Sequence, residues 1–309
     1  MKKISIVSGC YNEEENLPIL LPQLRAIIAK HPEYGFEIIV IDNASKDRSA
    51  EVLRAEAATD PRLKVILNAR NFGHIRSPYY GMLQATGDAV IYIVSDLQDP
   101  PELISEFIRK WAEGYKAVVG IKSQSEETPL FFLMRKWYYK TVNRLADIDT
   151  IQNFTGFGLY DRQIMDICRQ IDDPYPYFRG LISEIGLPTA KIPYVQPVRK
   201  RGLTKNNFYT LYDMAMLGIT NHSKVPLRLA AMLGFASSAA SLIFGLLYLI
   251  YKLFFWSRFS LGMAPLVIGL FFFASVQLFF IGILGEYIGS IHTHVLKRPL
   301  VVEKERINF

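Results

Sequence analysis

Cysteine is nearly absent from this 309-residue chain, which carries only Cys10 and Cys168. Two thiols are too few for a disulfide framework and suit a reducing compartment. Histidine is also sparse, and His74, His222, His292 and His294 show no metal-ligand spacing, which argues against a histidine-built metal centre. No hydrophobic run opens the chain, so no cleaved signal peptide is expected and the N-terminal part should stay on the cytosolic side, where it is made. Internal repeats and low-complexity segments are missing too, which removes repeat arrays from consideration.

What the chain has instead is two long apolar runs near its end, residues 229–255 and 264–289. Each is about 26 residues, or about 40 Å as a helix, against the roughly 20 residues that cross a bilayer core. Their only interior charges are Lys252 and Glu286. Helices apolar on every side at this length read as spans rather than as a buried soluble hairpin. Lys224 and Arg228 precede the first run, and Lys297, Arg298, Lys304 and Arg306 follow the second, whereas the connecting loop holds Arg258 alone. That asymmetry places both termini in the cytosol. A net charge of +6 fits either nucleic acid or an anionic membrane surface, and the two spans decide for the membrane and against nucleic acid. The expected layout is a cytosolic domain over residues 1–225, a transmembrane hairpin over 226–291 and a cytosolic tail over 292–309.

Residues 3–120 alternate short Val/Ile-rich runs with helical periodicity. ISIVS (4–8), EIIVID (37–42), LKVIL (63–67), AVIYIVSD (89–96) and AVVGI (117–121) read as strands buried on both faces. LPILLPQLRAIIAKH, DRSAEVLRAEAA and PELISEFIRKWAEG have the helical period between them. The alternation predicts an α/β fold, a doubly wound and mostly parallel sheet, whose ligands bind beyond the carboxyl ends of its strands.

The residues after those strands are polar. They read Cys10 to Asn16 after the first, Asp42 to Asp47 after the second, Asn68 to Gly73 after the third and Asp96 to Glu102 after the fourth. Acids, amides and Arg70 thus converge on one rim. A carboxylate there can bond a base or a ribose, and a carboxylate beside an amide oxygen can hold a hard divalent cation bridging a diphosphate. Ser45 and Asp47 also sit where a helix cap is needed.

The runs YNEEENL, IDNASKDRS, RNFG and GDAVIYIVSDLQDPPE resemble the family 2 glycosyltransferases of the GT-A fold. The later GILGEYIG, shortly before KRP, narrows the resemblance to polyprenyl-phosphate glycosyltransferases of the bactoprenol glucosyltransferase group, which are similar to dolichol-phosphate mannose synthase. The resemblance covers nearly the whole chain. It implies inverting transfer of a sugar from a nucleotide diphosphate donor to a polyprenyl phosphate, undecaprenyl phosphate in bacteria, with Mg²⁺ or Mn²⁺. It also implies the inner face of the bacterial plasma membrane and a tetramer packed through the hairpins. By the same resemblance, Tyr11, Glu13, Asp42, Asn71 and Lys122 serve the nucleotide, and Asp96 and Gln98 serve the metal. Arg199, Gly202, Thr204 and Lys205 match the family's R-x-x-G-x-S-K loop, expected to close over phosphate, with Asp96, Arg199 and Lys205 as the catalytic set. The stretch RKRGLTK also reads as a plain juxtamembrane basic patch.

Several positions depart from the family's pattern. Val94 replaces the first acid of Asp-x-Asp, so a metal would rest on Asp96, the diphosphate and Gln98 or Asp99. The family's D-T-G-D-F-R-L reads Asn153 to Leu159, which puts Gly156 where a base is expected and Gly158 where an arginine is. Cys10 replaces a proline, and Asn43 an acid. A phosphate monoester is already a dianion near neutral pH, because its second pKa is about 6, so it needs no base to act as a nucleophile.

Residues 131–146 place Lys136, Lys140 and Arg144 on one helical stripe, which suits an interfacial helix leading the acceptor phosphate to the site, or an ordinary packing helix with a solvated face. Residues 208–219 form a second candidate for the membrane surface. Glu286 either snorkels to the surface or meets a polar partner. The rival to an enzyme is a degenerate nucleotide-sugar-binding scaffold. A polysaccharide-exporting synthase is disfavoured, because two spans are too few for a channel.

Overall fold

The computed structural model describes residues 1–124, 151–197, 212, 216–221, 223–255 and 263–309. The candidate interfacial helix with Lys136, the basic loop with Arg199, Gly202, Thr204 and Lys205, and most of residues 208–219 lie outside them.

Eight strands form one sheet: β1 (Lys3–Cys10), β2 (Gly35–Asp42), β3 (Leu63–Asn68), β4 (Ala89–Val94), β5 (Ala117–Gln124), β6 (Phe154–Asp161), β7 (Thr189–Val195) and β8 (Glu303–Ile307). Their spatial order is β7-β5-β6-β4-β1-β2-β3-β8. The pairs β1·β2, β1·β4 and β2·β3 are parallel, as the alternating pattern predicts, and so is β5·β7, whose second strand the pattern did not mark. The pairs β4·β6, β5·β6 and β3·β8 are antiparallel.

Near-continuous apolar strands follow from burial on both faces. In the central strands Ile6, Ile38, Val40 and Ile91 point to one layer, and Val7, Ile39, Ile41 and Val90 to the other. Helices α1 (Leu17–Ala29), α2 (Ser49–Thr59) and α4 (Ile104–Ala112) cover the first layer. Helices α3 (Gly73–Leu83), α5 (Arg162–Ile171) and α6 (Phe178–Ile185) cover the second. Helix α3 escapes the periodicity because GHIRSPYYGML carries an internal Pro78 and two glycines. Tertiary packing sustains it: a Cβ at Gly81 would sit 3.1 Å from Ile41 and 3.2 Å from Val7, so glycine lets the helix lie close to the sheet without displacing those side chains.

The apolar runs form α7 (Val225–Phe254) and α8 (Met263–Leu296), both longer than the sequence reading places them and both long and apolar enough to cross a membrane. The most apolar window of each is unburied by the rest of the protein, as a membrane segment requires and a soluble core helix forbids. At 34 residues α8 is about 51 Å long, so it overruns a bilayer core of about 30 Å. The excess reaches back to the soluble part. Tyr287 donates to the Ser223 carbonyl (2.6 Å), Ser290 meets Asn221 (3.3 Å), and His294 Nε2 lies 3.2 Å from Asp173. Glu286 accepts from the Tyr212 hydroxyl (2.8 Å), so a polar partner accounts for this charge.

The C-terminal segment that the sequence presents as a tail is instead strand β8. It closes the β3 edge, with Arg54 paired to Glu305 (2.7 Å) and Asn308 Nδ2 donating to the Ala57 and Leu63 carbonyls (2.8 and 2.9 Å). Chain that leaves the sheet before α7 therefore returns to it after α8.

Candidate active site

In the sheet order, β2 and β3 lie on one side of β1 while β4 lies on the other, and a crevice opens where the order reverses. Three of the loops bounding it hold a residue in the left-handed region: Asn12 (φ 59°), Ala44 (φ 59°) and Leu97 (φ 60°). For Ala44 and Leu97, which lack the short polar side chain that lets asparagine bond locally in this region, this costs about 1–2 kcal/mol each. Cross-loop hydrogen bonds hold the first two loops in place. Asn12 N donates to Ser45 Oγ (2.9 Å), Lys46 N to Asn12 Oδ1 (2.8 Å), Glu13 N to Ser49 Oγ (2.9 Å) and Glu14 N to Asp47 Oδ2 (3.1 Å). Asp47 Oδ1 also accepts from Ser49 N (3.0 Å), so Ser45 and Asp47 serve the turn into α2.

Asn43 joins the β2 and β3 loops. Its amide donates to Asn71 Oδ1 (2.9 Å) and the Gly73 carbonyl (3.1 Å), and its oxygen accepts from Phe72 N (2.8 Å) and Asn68 Nδ2 (3.2 Å). An aspartate there would have no protons to give Asn71 and Gly73, which explains the amide at a position where the resembled family has an acid.

These loops enclose a cavity of about 340 Å³ whose lining includes Tyr11, Glu13, Asn43, Asn71, His74 and Asp96. Four residues picked from sequence therefore come together: Tyr11, Glu13, Asn71 and Asp96. Glu13 is largely buried and accepts from Asn16 Nδ2 (2.5 Å), which steadies it at the wall. Asp42 does not line the cavity. It is 2% exposed and accepts from the Ser45 amide (3.0 Å) and hydroxyl, and burial raises its pKa against those bonds. Its neighbour Asn43 takes the lining position. Lys122, on β5, donates its amide to the Asn153 carbonyl (3.1 Å) and is not part of this cavity. Cys10 lines the cavity, and burial together with the nearby Asp42 and Glu13 carboxylates raises its thiol pKa well above normal, so it is no nucleophile.

The Gln98 backbone N–H donates to Asp96 Oδ1 (3.1 Å), which orients that carboxylate. Asp99 turns inward: Oδ2 accepts from Val94 N (3.3 Å) and Oδ1 from the Tyr194 hydroxyl (3.0 Å), and it is 2% exposed. Its oxygens are committed to the protein, so the sequence-based option of Asp99 as a metal ligand does not hold. Among the described residues no group of three or more His, Cys, Asp or Glu side chains is placed to hold an ion. Asp96 would suit a divalent cation in a different mode, with one carboxylate as its anchor and a bound diphosphate and water supplying the rest.

A second cavity of about 230 Å³ adjoins the first, with His74, Pro78, Tyr92 and Val94 lining both. It continues over Gly156 towards Tyr177 and Arg179. The two glycine departures have local causes. Gly156 has φ 104° and lies against the Tyr92 ring, while a Cβ on Gly158 would stand 2.5 Å from the Val118 carbonyl oxygen. A side chain at Gly156 would be strained by its backbone, and one at Gly158 would clash with the β5 backbone. Sequence reasoning also passes over Arg76. Its Nε is buried without a hydrogen-bond partner, its Nη2 donates to the Pro299 carbonyl just beyond α8, and burial and the nearby Arg70 and Arg298 charges lower its pKa. Arg70 and Arg76 both contact the Phe72 ring, 4.1 and 5.5 Å from its centroid.

Comparison with known proteins agrees with this geometry. The Glycosyl transferase family 2 profile matches residues 5–167. The chain is 34% identical over 299 residues to an uncharacterized glycosyltransferase, YkcC, of Bacillus subtilis, covering 96% of this chain and 92% of that one. It is 33% identical over 304 residues to an SfII prophage-derived bactoprenol glucosyl transferase of Shigella flexneri, covering 98% of each. It is 32% identical over 307 residues to an undecaprenyl-phosphate 4-deoxy-4-formamido-L-arabinose transferase of Pectobacterium atrosepticum, covering 97% of this chain and 92% of that one. The chain belongs to glycosyl transferase family 2.

Proposed function

We propose that this glycosyltransferase moves a sugar from a nucleotide diphosphate donor to a polyprenyl phosphate at the inner leaflet, with inversion at the anomeric carbon. Two relatives named for their substrates share a polyprenyl acceptor, whereas their sugars differ, glucose in one and a formamido-arabinose in the other. The observation that carries the reading is the segment Asp173 to Arg179. Asp173 contacts His294 and Tyr175 lines a cavity shared with α8 residues at one end, while Tyr177 and Arg179 line the second cavity at the other. A lipid headgroup arriving along the hairpin thus meets the donor cavities within one short stretch of chain.

In this reading Tyr11, Glu13, Asn43 and Asn71 hold the nucleoside and Asp96 faces the diphosphate. Asp96 would hold a Mg²⁺ or Mn²⁺ ion, whose charge would neutralise that of the departing nucleotide diphosphate. An oxygen of the acceptor phosphate, already ionised, attacks the anomeric carbon as the bond to the diphosphate breaks. The opposite-face approach inverts that centre, and Gly156 in place of a base costs nothing. Lys136, Arg199, Gly202, Thr204 and Lys205 serve the acceptor phosphate, and Lys122 the donor phosphates. The proposed layout keeps residues 1–225 and the C-terminal strand on the cytosolic side, with hairpins of four protomers packed together.

The test is turnover by the full chain in vesicles containing undecaprenyl phosphate, with lipid-linked product read by mass across UDP, GDP and dTDP sugars. Asp96→Asn should lower turnover at least about 100-fold, as removal of a group facing developing charge does. Intact nucleotide binding without any lipid product would favour a nucleotide-sugar-binding scaffold.

A further inference from the structure

We infer that the second cavity receives the acceptor's phosphate and that Arg179 is the residue holding it, on the side of the transferred sugar away from Asp96. The inference rests on the proposed transfer and deepens it by naming a contact for the nucleophile.

Charge picks out the residue. Among the described residues Arg179 is the one lysine or arginine lining either cavity, and no aspartate or glutamate lines the second. With Gly156 where the resembled family carries an acid, an entering phosphate meets no negative side chain among the described residues of that wall. Arg179 Nη1 donates to the Phe154 carbonyl (3.3 Å), which anchors the guanidinium while using one of its five N–H groups. Ile75, Met82 and Phe178 nearby are apolar, and a guanidinium bonds phosphate more strongly beside hydrocarbon than in open water. Thr155 lines the same cavity, and its Oγ1 is buried with no hydrogen-bond partner among the described residues. A lipid tail would leave that hydroxyl stranded, whereas a phosphate or sugar oxygen satisfies it.

Position fits inversion. Tyr92 belongs to the wall that the two cavities share. Burial and the Asp99 and Asp96 carboxylates raise the pKa of its hydroxyl, and Arg179 opposes them. That hydroxyl therefore lies within range of Asp96, which lines only the first cavity, and of Arg179, which lines only the second. A sugar that crosses this wall with its diphosphate facing Asp96 turns its opposite side towards Arg179. A phosphate oxygen held there forms the bond to the anomeric carbon as the bond from that carbon to the donor diphosphate breaks. The electron pair leaves with the nucleotide diphosphate, and no proton has to move because the attacking oxygen is already ionised.

The test uses the full chain in detergent and measures binding by calorimetry. Farnesyl phosphate serves as a short acceptor, farnesol as the same tail without the charge, and inorganic phosphate as the charge without the tail. The wild type should bind farnesyl phosphate at least about tenfold more tightly than either reference. Arg179→Gln should weaken farnesyl phosphate at least about tenfold, the lower end of what a hydrogen bond to a charged group contributes, and leave farnesol, UDP, GDP and dTDP unchanged. Arg179→Lys, which keeps the charge, should fall between the two. Unchanged affinity for farnesyl phosphate in Arg179→Gln overturns the inference. So does a loss confined to the nucleotides, which would give the arginine to the donor diphosphate, or an equal loss for farnesol, which would make its role structural. Inorganic phosphate bound as tightly as farnesyl phosphate would make this a site for a free anion and overturn it too. Because binding is the readout, a failure of turnover refutes the transfer reading separately.

Discussion

Asp99 offers the sharpest physical test of the site's architecture. Its carboxyl is 2% exposed and ties the Asp96 loop to β7 through Val94 N and the Tyr194 hydroxyl. Burial dominates over those two bonds and lifts its pKa from 3.8 to about 6. A group whose pKa is higher in the folded state contributes stability that is full below pH 3.8 and lost as pH rises through about 6. At about 1.4 kcal/mol per unit, the loss totals about 3 kcal/mol, of which about 1 kcal/mol falls between pH 5 and 7. Asn at this position has the same shape. With its oxygen towards Val94 N and its amide towards Tyr194, it keeps both contacts and has nothing to ionise. The stability of Asp99→Asn relative to wild type should therefore climb by about 1 kcal/mol from pH 5 to pH 7. Thermal unfolding of both full-length proteins in the same detergent at each pH measures this difference, and all other titrating groups cancel. A difference that does not change with pH would show that the Asp99 carboxyl is not desolvated and would refute the account of the loop.

Glu37 behaves in the opposite sense: burial opposes its charge, but Lys3 (2.8 Å), Lys64 (2.9 Å) and Ser5 bring its pKa down to about 2. Its contribution, present above pH 4.5, is lost as pH falls through about 2, and Glu37→Ala, which removes those bonds, should cost about 3 kcal/mol at pH 7 by thermal unfolding. Gly158→Ala should destabilise by at least about 1–3 kcal/mol, because the added carbon overlaps the Val118 carbonyl on β5; an unchanged melting temperature would contradict the close approach of these strands. Removing residues 300–309 should uncover β3, raise hydrogen exchange at Val65 to Leu67 and promote self-association on size exclusion, whereas unaltered exchange would mean that β8 does not pair there.

The central sheet was legible because β1 to β5 are short, apolar and regularly separated by helical patterns, and burial on both faces leaves that mark on any parallel strand. Strand β6 was not read as one, since FTGFGLYD holds two glycines, one at a positive φ and one held against the β5 backbone. Strand β8 was illegible, because EKERI carries charge along its length and becomes a strand through the edge it completes. At the site, the loops after β1, β3 and β4 announced themselves by polar residues where apolar strands end.

Composition and order alone determined a mostly parallel α/β sheet, a polar rim at its strand ends and two apolar helices long enough to cross a membrane, since each depends on local periodicity and on the cost of exposing hydrocarbon to water. Only tertiary structure decided that Asn43 rather than Asp42 faces the cavity, that Asp99 turns inward, and that the chain's end returns to the sheet. Those outcomes depend on which groups the fold brings within bonding distance, and distances between residues far apart in sequence are written in no single segment.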